Sequence, residues 1–145
     1  MPSQPRAALH ASRAAPGTLV DTLAALCLLL LVDVVLHCVG FDWLCRAVAR
    51  WPLFRARCDA AEEDTLRTSC AAVHRARCYY FKYALCLQTA AAATCLLRAH
   101  GTRADLVIGV RRFPFCAHAW TEVDGRVVLD DGRQVSGLCT VIARY

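Results

Sequence analysis

A chain of 145 residues has room for a single domain with a modest core. Its hydrophobic fraction of 57% and mean hydropathy of +0.37 are high for a soluble protein, and the excess gathers between Leu19 and Val39. The net charge of +5 is carried almost wholly by arginines scattered without aromatic interleaving; that pattern argues against a nucleic-acid surface and suits an acidic peptide or partner.

Residues 1–17, rich in Pro, Ala and Ser with scattered Arg, read as a disordered lead-in to a single domain over 18–145. Its first part, 18–55, is apolar and helical, and 56–145 forms the chemical core. The run LVDTLAALCLLLLVDVVLHCV admits three readings. A signal peptide normally has a shorter apolar core without acids. A membrane span has the length, but Asp21, Asp33 and His37 interrupt it, and Asp33 alone costs roughly 2.5–3.5 kcal/mol at the centre of a bilayer. A helix buried against the domain or a partner accommodates all three, so the chain is expected in the cytoplasm, with peripheral membrane contact as the rival.

Phe41 to Phe54 predicts an amphipathic helix with Trp43, Leu44, Ala47 and Trp51 on its apolar side and Pro52 as its stop. Ala60 to Arg77 carries Leu66, Cys70 and Val73 at helical spacing, with Glu62, Glu63 and Asp64 at the favourable end of the dipole. His74 on this segment reads as structural. From Cys86 nothing breaks a helix until Gly101, and Cys86, Ala90, Ala93 and Leu97 share one stripe. The period then changes. Ala104 to Val110 is a strand, His118–Val123 and Arg126–Asp130 flank an Asp124-Gly125 hairpin turn, and Val135 to Tyr145 adds a further strand. Helices followed by an antiparallel sheet predict an α+β domain.

The ten cysteines show no two-residue gap of a zinc knuckle, and the histidines have no paired spacing, so neither a metal nor a cofactor is expected. Most of the thiols lie in apolar helical stretches and read as reduced packing residues. Cys86 differs, because it opens a helix, where the positive end of the dipole favours a thiolate. His118 at the start of a strand and an aspartate at the end of its hairpin partner complete the set that thiol catalysis requires. A helix-borne cysteine on a sheet carrying His and Asp is the papain-like or transglutaminase-like arrangement.

The stretch CLQTAAAATCLLRAHGTRADLVIGVRRFPFCAHAWTEVDGRVVLDD, residues 86–131, resembles the stand-alone B2 protease of lasso peptide biosynthesis, one form of the microcin-processing B proteins. The resemblance lies in a Cys-Leu helix start, a Leu-Leu-Arg…Gly helix end, an Ile-Gly-Val-Arg strand and an Ala-His-Ala-Trp-x-Glu-x-Asp-Gly-Arg hairpin. It implies Cys86 as nucleophile, His118 as general base and Asp130 as orienting acid. It also implies a leader peptidase that frees the core N-terminus of a ribosomally made precursor for ring closure by a separate ATP-dependent cyclase. A chain this short leaves no room for a precursor-recognition module, so leader capture is expected to fall to a small B1-type partner. The apolar helix is then a docking surface for that partner or for the cyclase, or part of the core. Thr89-Ala90 replaces the Arg-Ser usual after Cys-Leu-x, and Cys116 stands two residues before the base, as filler or as an oxidation partner of Cys86.

Register leaves the acid open. With a two-residue turn, Val123 pairs with Arg126, which sets Asp131 opposite His118 and turns Asp130 away; a bulge would restore Asp130. The backbone N–H of Cys86 is expected in the oxyanion hole, with Lys82 and Tyr83 the nearest further groups in sequence. Two alternatives stand beside peptidase action. One is acyl transfer to an amine by the same triad; the other is a non-catalytic membrane or scaffold subunit of a maturation complex.

Overall fold

The computed structural model describes residues 19–52, 59–81, 85–130 and 139–145. The lead-in over 1–17, Lys82, Tyr83 and Asp131 lie outside them. Four helices come first: α1 (Leu19–Cys38), α2 (Phe41–Ala49), α3 (Asp59–Tyr79) and α4 (Cys86–Ala99). Strands β1 (Ala104–Arg111), β2 (Cys116–Val123), β3 (Arg126–Val128) and β4 (Thr140–Arg144) follow, in an antiparallel sheet of order β3-β2-β1-β4. The domain is α+β, as its change of hydrophobic period predicts.

α1 runs unbroken until Gly40, whose φ of 99° is left-handed and lets the chain turn into α2. Thr22, Ala25, Leu29 and Val32, three or four residues apart, are its buried stripe. The opposite stripe, including Leu19, Leu23, Leu30, Leu31 and Val34, is exposed. Both acids of α1 turn to α4. Asp21 Oδ1 lies 3.2 Å from Nε2 of His100, which caps the end of α4, and Asp33 Oδ1 accepts a hydrogen bond from Gln88 Nε2 in its first turn. The two helices therefore run antiparallel, clasped at both ends. α1 remains long and apolar enough to cross a membrane by length and composition.

α2 buries Leu44, Cys45 and Val48, a stripe rotated from the expected one, and leaves Trp43 half exposed. It ends at Ala49, before Pro52. α4 is the centre of the domain. One stripe was expected to be apolar, yet every residue from Gln88 to Leu97 is buried, because α1 and α3 cover one side and the sheet covers the other. Its alanines permit that approach: the Thr121 hydroxyl on β2 donates to the Ala90 carbonyl at 3.0 Å. The helix ends where Gly101 takes a φ of 89°.

Leu29, Leu97 and Leu106 are wholly or almost wholly buried, each worth about 1.5–3 kcal/mol relative to exposure. Arg98 closes the rear of the structure. Its Nε donates to Ala104 O at 2.7 Å, Nη1 to Val48 O at 2.6 Å and Nη2 to Tyr145 O at 2.9 Å, joining α4 to α2, β1 and the residue after β4.

Candidate active site

Leu85, extended at ψ 165°, precedes the first turn of α4. Its N–H donates to Gln88 Oε1 at 2.8 Å, the Gln at N3 that signals a helix start. Since Gln88 also donates to Asp33, α1 holds the first turn of α4 in place. Cys86 is the first helical residue and half-buried, and its N–H has no acceptor within the helix.

His118 lies on β2 opposite Gly109 of β1. His118, Trp120 and Glu122 share one face, while Thr121 between them reaches α4. The Trp120 ring stacks on the imidazole, with centroids 6.1 Å apart and planes at 23°. Gly109 gives it room: a Cβ there would come within 2.6 Å of the indole. Trp120 Nε1 donates to Glu122 Oε1 at 2.8 Å, and Arg144 donates to Glu122 Oε2. Burial pushes the Glu122 carboxyl up, but the hydrogen bonds from Arg144 and Trp120 outweigh it and hold the group below the ordinary range. This ion pair fixes the floor beneath the imidazole.

The backbone sets which way Asp130 faces. The β2–β3 ladder is regular through three pairs, from Val123↔Arg126 to Thr121↔Val128, around a turn with positive φ at both Asp124 and Gly125. Continued, it would send Asp130 to the wrong face. Instead Leu129 takes a φ of 69° and ends the strand, and Asp130 Oδ2 comes within 2.7 Å of His118 Nε2. A bulge was one way to bring Asp130 round, but the ladder has none; a left-handed residue at the strand end turns it instead.

Cys86, His118 and Asp130 line one cleft of about 280 Å³. Cys116, read as filler, is exposed and is not part of this lining; Cys27, Cys38 and Cys78 are likewise exposed, not packing residues. Cys45 and Cys95 are buried as expected, and burial pushes the Cys95 thiol up to about 12. Among the described residues no three His, Cys, Asp or Glu side chains are grouped to hold a metal.

The family model of the transglutaminase-like superfamily matches residues 28–143, from α1 to β4. The chain belongs to the transglutaminase-like superfamily. Curated proteins and solved structures give no match. Membership in this superfamily is consistent with a cysteine peptidase or an acyltransferase. The cleft and its support also hold residues that the sequence did not single out. Arg77 lines the cleft from the last turn of α3, and nothing in the local sequence marks it. Gln88 carried a usable signal, its N3 position, whereas Leu129 carried none.

Proposed function

We propose that this transglutaminase-like chain is the leader peptidase of a lasso peptide pathway, of the stand-alone B2 type. The observation that carries the chemistry is the 2.7 Å contact of His118 with Asp130 in the cleft that Cys86 lines. Support for the finer reading is the order and spacing of motifs over residues 86–131. Asp130 on Nε2 fixes the imidazole tautomer and leaves Nδ1 to take the thiol proton. The Cys86 thiolate then attacks the carbonyl carbon at the leader–core junction. The Cys86 N–H, at the positive end of α4, faces the developing oxyanion. The tetrahedral intermediate collapses with loss of the C–N bond, and His118 protonates the departing core amine. His118 next removes a proton from water, which attacks the thioester and releases the leader as an acid and Cys86 as a thiol.

In this reading the precursor's leader is presented by a small B1-type recognition protein, and the freed core passes to an ATP-dependent cyclase. The enzyme works in the cytoplasm, with or without contact at the membrane surface. The test is incubation of the chain with precursor and recognition partner, followed by mass analysis of the products. Leader removal is expected from the native chain, none from Cys86→Ala, and a loss of orders of magnitude from Asp130→Asn. Cys95→Ala and Cys116→Ala should retain most of it. A product carrying the leader joined to an amine would make the protein an acyltransferase. Leader removal by Cys86→Ala would remove the triad altogether.

A further inference from the structure

The cleft contains two hydrogen-bond donors that the proposed reaction does not use. Arg77 lines it from α3 and, among the described residues, makes no hydrogen bond or ion pair. Thr89 lies one turn along α4 from Cys86, is 8% exposed, and its buried hydroxyl has no partner. Such a hydroxyl is uncommon and needs a reason. Thr94 on the same helix shows the usual remedy, donating to the carbonyl four residues back, Ala90 O, at 2.9 Å.

Among the described residues no group of the cleft accepts a hydrogen bond from either donor. Leu85, Ala90, Ala119 and Val128 are apolar, the Trp120 N–H is a donor already committed to Glu122, and Asp130 is bound to His118. A ligand in the cleft can supply one acceptor to both. A carboxylate fits best, because its two oxygens satisfy a guanidinium and a hydroxyl together. A net charge of +5 also draws an acidic peptide towards the chain. Position adds a direction. The leaving amine must lie over His118, which protonates it, whereas Thr89 stands on the nucleophile's own helix. The geometry points to Arg77 and Thr89 as a specificity subsite for an Asp or Glu side chain on the acyl half of the substrate. This rests on Cys86 as nucleophile.

Tripeptidyl vinyl sulfones test it with the full chain. One probe carries Gln at all three positions and three others carry Glu at one position each; alkylation of Cys86 is followed by intact mass. One Glu probe should react about tenfold faster than the all-Gln probe, the scale of a hydrogen bond to a charged group. That ratio should fall to near one in Arg77→Gln, fall in Thr89→Val, and be kept by Thr89→Ser. Alkylation by the all-Gln probe reports that each variant is folded. Equal rates for Glu and Gln probes at Cys86 would overturn the subsite alone. Equal slowing of every probe in Arg77→Gln would make Arg77 an oxyanion donor and also overturn it. No alkylation of Cys86 by any probe would remove the nucleophile, and the subsite with it.

Discussion

Nine free thiols stand among the described residues, and their surroundings give them different chemistry. Burial pushes Cys95 up to about 12, against a smaller opposing pull from Arg98, and pushes Cys70 up to about 11. Both stay protonated and inert at neutral pH. The unfolded chain would ionise them near the ordinary value of 9.0, so there the unfolded state binds fewer protons than the folded one. The stability from this source is whole below pH 9 and declines as pH rises towards 12. Cys95 alone contributes a slope of ~1.4 kcal/mol per pH unit once its unfolded thiol is ionised. Urea midpoints measured in reducing buffer between pH 8 and 11 should fall steadily. Cys95→Ala should flatten that decline while starting from a lower baseline; an unchanged slope would show that its burial is not the cause.

At the scale of elements, Leu129 decides where the acid goes. A non-glycine residue in the left-handed region costs about 1–2 kcal/mol, held here by packing of the Leu129 side chain against the α1, α3 and α4 cluster. Proline cannot take this φ and asparagine can. If the chain is the leader peptidase proposed above, Leu129→Pro should lose leader removal to the extent of Asp130→Asn, while Leu129→Asn keeps most of it. Full activity in Leu129→Pro would show that this turn does not set Asp130. The same residue marks a limit of sequence reading. α4 was legible because nothing between Cys86 and Gly101 breaks a helix, and the hairpin because Asp124-Gly125 suits positive φ. The place of Asp130 beside His118 was not, since strand period pointed the other way and leucine gives no sign of a left-handed turn. α2 misled for a different reason. Its apolar residues cover more than one face, and the directions from which α1 and α4 arrive select Leu44, Cys45 and Val48.

Across the whole molecule, Arg98 is the point where α2, α4, β1 and the end of the sheet meet. Its side chain is only 12% exposed, and removing it takes away three charge-assisted hydrogen bonds that join these elements. Arg98→Ala should cost about 3–5 kcal/mol in urea unfolding, a large part of the 5–15 kcal/mol typical of a domain. Arg98→Lys should recover less than half, because an ammonium cannot match the guanidinium fork; a loss below about 1 kcal/mol in Arg98→Ala would mean that these elements hold without it. α1 carries a different message. Its ties to the domain run through the buried Thr22, Ala25, Leu29 and Val32, the flanking Ala24, Leu26, Leu28, Val35 and Leu36 and the two acids, whereas Leu19, Leu23, Leu30 and Val34 are exposed. Heritable variation should reach the two stripes unequally. A saturation library scored for folded abundance should show polar residues purged with helical period at 25, 29 and 32 and accepted at 19, 23, 30 and 34. Uniform intolerance along the helix would break that pattern. With it, the outer stripe is free to diverge in what it touches while Gln88 and Cys86 keep their places.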